Sequence, residues 1–235
     1  MWLQAPNIGC IHGFSTRHGG FSPAPFNSLN LGGSADKKQN IKRNRELALS
    51  LLGLQPAHLF SLKQVHGSNI CEPATTIQEG DALVTVKSGA ILSVLVADCY
   101  PLLFCDLKNN IIGAAHCGWR GTLAGLAGKT VRKMQSMGAE VSQIKVAIGQ
   151  GISFKNFEVG EEVITAFSEA GFPTAWHNRH LDLTLCLQHD LKQAGIPVEN
   201  IWCMNRCTFE QDFFSHRRDN GNTGRMMAVI SLGPE

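Results

Sequence analysis

Residues 90–121, AILSVLVADCYPLLFCDLKNNIIGAAHCGWRG, carry the architecture of this 235-residue chain. Residues 90–97 are a continuous apolar run of the kind shown by a strand covered on both faces. Residues 102–106 and 111–115 read as two further strands, with LKNN between them as a hairpin turn. A hairpin conflicts with a purely parallel, doubly wound sheet, and the chain contains neither a G-x-G-x-x-G run nor a Walker loop. The expectation is an α/β fold with a mixed β-sheet.

Helix patterns flank this segment. Residues 36–52 read as a helix with Asp36 as N-cap and Gly53 just past its end. From Thr122 to Met137, Leu123, Leu126, Ala127, Thr130, Met134 and Met137 share one helical face, and Gly138 provides a stop. Further helices fit 160–170 and 181–194, and short strands fit 145–149, 201–204 and 226–232. With no linker, repeat or composition shift, the whole chain, 1–235, reads as one domain, a mixed β-sheet covered by helices.

Composition excludes several function classes. At 43% hydrophobic and 17% charged residues the chain is globular, not disordered. A net charge of +2 gives no mandate for nucleic acid or membrane surface, and KKQNIKRNR at 37–45 reads as a solvated helix face. The opening MWLQAPNIGC lacks a basic start and an apolar core, so no secretory signal is expected. No window offers the roughly 18 apolar residues of a membrane helix. Eight cysteines in that context point to a reducing cytoplasm, as buried thiols or ligands.

Polar residues collect where strands end. SLKQVHGSNI places His66 at the end of a short strand, VLVADCYPLLF places Asp98 and Cys99 before a Tyr-Pro turn, and GAAHCGWRG places His116 before a glycine-flanked turn. His66, Cys99 and His116 are spaced by 33 and 17 residues and would suit a three-ligand zinc site with one open position. The competing reading is a satisfied core histidine at each strand end. Cys203 with Cys207, and His177 with His180, are weaker pairs whose ordinary reading is a buried strand end and an exposed loop.

The order of motifs adds to this reading. HGFSTRHGG at 12–20, SLNLG, QVHG, DALVT, ADCYP, AHCGWRG, FEVG, FFSHRRD and TGRMMAVISL at 223–232 run nearly end to end. Together they resemble a bacterial family once named multicopper polyphenol oxidases or laccases and also called peptidoglycan editing factors. The resemblance implies that His66, Cys99 and His116 bind one metal ion per chain, zinc or, as claimed for relatives, copper. The sequence lacks the dispersed histidine pairs of a true multicopper oxidase, which counts against laccase activity. Characterised members resemble purine nucleoside enzymes, with phosphorolysis of adenosine, inosine and methylthioadenosine and hydrolytic deamination of adenosine. The fold has been likened to the deamidase domain of the cytotoxic necrotizing factor toxins. The expected partners are therefore a nucleoside and phosphate, with no nucleic acid or membrane, and a cytoplasmic monomer is expected.

On that reading phosphate needs arginine forks. Arg17 in the STRHGG run is a candidate for catalysis and phosphate binding; Arg120, Ser215 and Arg217 are further candidates, with Arg218 beside them. Arg120 could equally be a surface residue stacked on Trp119, and Arg225 in the TGR motif a brace on the last strand. Gln64 is a candidate for orienting substrate, and Asn30, with Asn27 nearby, for ribose or phosphate contact or plain turn stabilisation. Glu158 is a candidate general acid or base, or else a helix-start carboxylate. Asp98 would accept from a ligand imidazole or start a turn.

The chain departs from the family pattern at Cys117, where alanine is common, at Phe157 and His216, where tyrosine is common, and in GQGI at 149–152. Cys117 reads as a small core residue. A second class of reading keeps Cys99 and His116 as a metal-free thiolate–imidazole dyad of a hydrolase acting on an amide, peptide or cell-wall precursor. A third, non-enzymatic binding module, fits the density of polar strand ends poorly.

Overall fold

The computed structural model describes residues 1–33, 35–172 and 176–233. Its strands, in chain order, are β1 (Trp2–Leu3), β2 (Ile11–Ser15), β3 (Leu59–Phe60), β4 (Ile70–Cys71), β5 (Ala82–Thr85), β6 (Ile91–Val96), β7 (Tyr100–Asp106), β8 (Ile111–Cys117), β9 (Lys145–Ile148), β10 (Trp176–His177), β11 (His180–Leu181), β12 (Ile201–Cys203) and β13 (Met226–Ser231). The α-helices are α1 (Lys38–Ser50), α2 (Trp119–Leu123), α3 (Leu126–Ser136), α4 (Glu161–Glu169) and α5 (Leu183–Gln193).

The class is mixed α/β, but the strands divide into two main sheets where one was expected. One sheet has the order β1-β2-β13-β6-β3, and the other β12-β9-β7-β8-β5-β4; β10 and β11 form a separate ribbon. The β7–β8 hairpin is antiparallel, pairing Tyr100 with Cys117 and Pro101 with His116. Both sheets are mixed: β3 runs parallel to β6, and β4 and β12 run parallel to β5 and β9.

Side-chain alternation explains the stacking. Leu92 and Val94 of β6 share an apolar cluster with Leu103 and Cys105 of β7 and with Ile112 and Ala114 of β8. Ile91 packs the other way, with Leu29, Leu31 and, from α1, Ala48 and Leu49. Leu102 and Phe104 turn to Leu126, Val131 and Met134 of α3 and to Leu183, Leu187 and Leu191 of α5. The layers are therefore helix, sheet, sheet, helices. An apolar run such as 90–97 looks the same whether helices or a second sheet cover its far face, so the pattern did not separate the two cases. Each fully buried Leu, Ile or Phe contributes about 1.5–3 kcal/mol, whereas exposed ion pairs such as Lys63–Glu79 are screened by solvent and decide little.

Local expectations shift in four places. The helix expected over 122–137 is two helices, because Gly125 takes the left-handed conformation (φ +70) and interrupts it. Asp36 is not the N-cap of α1, which is Lys37; its Oδ2 accepts from Ser22 Oγ at 2.6 Å and Asn30 Nδ2 at 3.0 Å, while Oδ1 accepts from the Lys37 amide at 2.7 Å and Asn40 Nδ2 at 3.2 Å. Tyr100 and Pro101 open β7 and make no turn. His66 stands in a loop, not at a strand end. Within the basic run of α1 most residues are solvated, but Asn44 is buried and donates to Ser22 Oγ and to the carbonyls of Ser28 and Asn30.

Candidate metal centre

The chain leaves β6 at Val96 and enters β7 at Tyr100, so Ala97, Asp98 and Cys99 carry it from one sheet to the other. Asp98 sits at φ 90, a conformation rarely used by side-chain-bearing residues. Its carboxylate holds the crossing in place. Oδ1 accepts from Thr208 Oγ1 at 2.6 Å and Ser215 Oγ at 2.7 Å, and Oδ2 accepts from the Arg217 amide at 2.7 Å. Cys99 is thereby fixed between the layers.

His116 is the penultimate residue of β8 and pairs with Pro101, at the same end of the sheets. It shares strand parity with Ile112 and Ala114, which face the other sheet, while Cys117 faces the helices among Leu126 and Leu187. His66 adopts φ 58, a left-handed conformation. The cause is Asp81, fully buried just before β5. Its carboxylate accepts from three successive backbone N–H groups, Val65 at 3.3 Å, His66 at 3.0 Å and Gly67 at 2.7 Å. The same carboxylate accepts from His116 Nδ1 at 2.9 Å, and the Asp81 carbonyl accepts from the His116 amide at 2.7 Å. One buried acid therefore sets both histidines.

The three donors meet. Cys99 Sγ lies 3.9 Å from His66 Nδ1, the two imidazole centroids are 4.8 Å apart, and one donor atom from each residue falls within 4.8 Å of the others. Because Nδ1 of His116 is committed to Asp81, Nε2 is its available lone pair. Tetrahedral coordination with metal–sulfur and metal–nitrogen bonds of about 2.3 and 2.0 Å needs donors roughly 3.3–3.5 Å apart, so a small inward movement completes the set. Gly118 leaves the room for this: a Cβ there would lie 2.9 Å from Cys99 Sγ and 3.1 Å from His66 Nδ1. The residues fit a soft or borderline divalent ion. Among the described residues no other group of three such side chains converges in this way. Cys203 and Cys207 accept from Gln188 and Asn156 respectively, and all eight cysteines are free thiols.

Electrostatics favour the thiolate. Burial alone would push the Cys99 thiol up, but the His116 charge and hydrogen bonds from His116 and His66 hold it down to about 6. For His116, burial lowers the value, and Cys99 and Asp81 together raise it to about 9. Burial raises Asp81 too, but His116 and the Gly67 and Val65 amides keep it below its ordinary value. Between about pH 6 and 9 the metal-free pair is thiolate and imidazolium. A spectroscopic titration of metal-free protein should show the ultraviolet thiolate band present at pH 7 and lost as pH falls through about 6. The band should be missing in Cys99→Ser. A band that appears only above pH 8 would contradict this environment.

The centre opens into a cavity of about 410 Å³ whose walls include Gln64, Asp98, Phe157, His216, Arg217 and Arg225. Gln64 spends its amide on the backbone of Leu95, donating to the carbonyl and accepting from the N–H, both at 2.8 Å. Several expected substrate residues lie elsewhere. Arg17 bonds the Asn27 carbonyl at 2.8 Å and stacks on Phe214, 4.6 Å from the ring centre. Arg120 stacks on Trp119 at 4.2 Å, as the surface reading had it. Asn30 is buried, holding Asp36 and the Arg225 amide. Ser215 is buried on Asp98. Glu158 pairs with Arg179 in an adjoining hollow, although its carbonyl accepts from Arg217 Nη1 at 2.9 Å. Asp98, expected beside an imidazole, serves the crossing, and the imidazole partner is Asp81. That role was missed, although an Asp directly ahead of the wholly apolar ALV run is a charge in need of partners.

Two stacked mixed sheets with, among the described residues, one His–Cys–His centre beside the crossing between them define a class of α/β protein with a candidate metal-dependent active site. The chain belongs to the family described as multi-copper polyphenol oxidoreductase laccase, whose model matches residues 11–233. A purine nucleoside phosphorylase of Deinococcus radiodurans is 42% identical over 98% of this chain and 92% of its own length. Another, YfiH of Escherichia coli, is 36% identical over 98% of this chain and 96% of its own. The crystal structure of YlmD from Geobacillus stearothermophilus superposes with a TM-score of 0.93 at 34% identity, covering 100% of this chain and 96% of that one. Among the described residues no helix is long and apolar enough to cross a membrane.

Proposed function

We propose that this chain is a zinc-dependent purine nucleoside phosphorylase acting on adenosine, inosine and methylthioadenosine. A phosphate oxygen bonds to the ribose C1′ as the bond from C1′ to the purine nitrogen breaks; its electron pair leaves with the base, which takes up a proton. The observation that carries this reading is the shared cavity: three metal-type donors face two guanidinium groups, so a nucleoside and an oxyanion can be held together. Relatives carrying the phosphorylase name match nearly the whole chain. His66, Cys99 and His116 would hold the ion, which supplies Lewis acidity when bound. Copper suits the same donors, and metal analysis of purified protein distinguishes the two. Phe157, at the cavity wall, lies under the Arg217 guanidinium, 5.5 Å from its ring centre, and helps to position it. Hydrolytic deamination of adenosine, in which water adds at C6 and ammonia leaves, is the second activity on this reading. The protein acts as a cytoplasmic monomer on small molecules.

A second reading rests on one observation. Cys99, His116 and Asp81 line up as thiolate, imidazole and orienting acid, the order used by cysteine hydrolases, and the toxin-deamidase likeness belongs with it. His66 discriminates, since a dyad tolerates its loss and a three-ligand centre does not.

The test is chromatography of products from adenosine with and without phosphate, using zinc-loaded protein and Cys99→Ala as control. Adenine with ribose 1-phosphate, produced only with phosphate and absent from the control, is expected. If neither that nor inosine forms, the hydrolase reading takes precedence.

A further inference from the structure

The cavity beside the metal centre holds two arginines, and only one of them, Arg217, was expected there. The other, Arg225, stands immediately before β13. Its backbone is fixed at both ends: the amide donates to Asn30 Oδ1 at 2.8 Å, and the carbonyl accepts from the Leu31 amide at 3.0 Å. Its guanidinium is pinned through one nitrogen, Nη1, which donates to the carbonyls of Thr223 at 3.0 Å and Gly224 at 2.9 Å. Among the described residues Nε and Nη2 have no hydrogen-bond partner.

Other arginines are neutralised nearby. Arg179 pairs with Glu158, Arg206 with Glu210 and Asp212, and Arg218 with Asp219. Among the described residues neither Arg225 nor Arg217 has an ion-pair partner. The carboxylate in their cavity, Asp98, already accepts three hydrogen bonds from Thr208, Ser215 and the Arg217 amide. Burial lowers the Arg225 pKa from its ordinary value, with the charges of Asp98 and Cys99 only partly opposing that. A half-buried guanidinium held rigid, with Asp98 and Cys99 near but in no direct ion pair with it among the described residues, keeps donors open for an anion.

We propose that Arg225 joins Arg217, already a phosphate candidate from the sequence, across the same cavity to form the subsite for inorganic phosphate. It rests on the phosphorylase reading and names the residues of its second substrate. Two fork-shaped donors set beside the metal centre match the oxygens of a tetrahedral anion. Asn30 and Asn44 then act at a distance, as the buried scaffold that fixes the Arg225 backbone.

Equilibrium dialysis with labelled inorganic phosphate tests this directly, on protein as purified, beside metal content and thermal unfolding. Arg225→Met should weaken phosphate binding about 10- to 100-fold, with Arg225→Lys in between because it keeps charge and loses the fork. Metal content should stay unchanged. In turnover, the KM for phosphate should rise while that for the nucleoside holds. Unaltered phosphate affinity in folded Arg225→Met would overturn the subsite. So would Arg225-dependent binding of adenosine 5′-monophosphate without any of free phosphate, since that places a phosphate ester there. Arg225-dependent phosphate binding in a protein that turns over no nucleoside would keep the subsite and reject the phosphorylase reading. Nucleoside phosphorolysis with an unchanged phosphate KM in Arg225→Met would do the reverse.

Discussion

Asp81→Ala should strip the metal centre while leaving all three donors in place. The variant removes the acceptor for Val65, His66 and Gly67 N–H groups and for His116 Nδ1 together. Loss of a fully buried charge from such a network is expected to cost about 3–5 kcal/mol of stability. Metal affinity should fall by about 100-fold, the upper range for removing an orienting carboxylate behind a ligand histidine. Asparagine is no substitute. Oδ1 serves His66 and His116 while Oδ2 serves Val65 and Gly67, so an amide nitrogen on either side would face donors. Chelator competition and denaturant unfolding measure the two effects separately. An Asp81→Ala protein that held metal as tightly as the parent would remove Asp81 from the account.

His116→Ala should lose both metal and turnover, while its neighbour Cys117→Ala stays folded, metallated and active. The contrast follows from strand parity. His116 points to the inter-sheet gap and the donors, whereas Cys117 is buried on the helix-facing side. Removing the Cys117 sulfur deletes one atom from the core, at a cost of about 1 kcal/mol. Metal analysis and product chromatography on the pair are sufficient. A fully metallated, active His116→Ala protein would refute the centre as described.

The metal-type trio was legible because two of its members follow apolar runs, Cys99 two residues beyond the run 90–97 and His116 directly after Ile111–Ala115. Such positions are visible to a reader of period and punctuation alone. The hairpin was legible for the same reason. For Asp81 the local pattern marks only a charge in need of partners, because the partners themselves lie 15 and 35 positions away. The surroundings of the arginines were illegible for a related reason. Arg17 and Arg120 sit in polar, glycine-rich runs that advertise an anion site, yet aromatic neighbours Phe214 and Trp119 take them. Arg225 is followed at once by an apolar strand and reads as a brace; only the tertiary fold shows that it lines the cavity.

The short link from β6 to β7 has an effect on what lengths the chain can tolerate. Three residues connect a strand in one sheet to a strand in the other. Inserting a single residue there would put the second strand out of phase. Leu103 and Cys105 would exchange sides with Leu102 and Phe104, unless the hairpin register slipped to absorb it. Absorbing it would in turn carry Pro101 away from His116 and draw Cys99 from its neighbours. Length, at this one link, is thus a functional trait in its own right, and an alignment gap between Val96 and Tyr100 would mark a protein that has given up the centre.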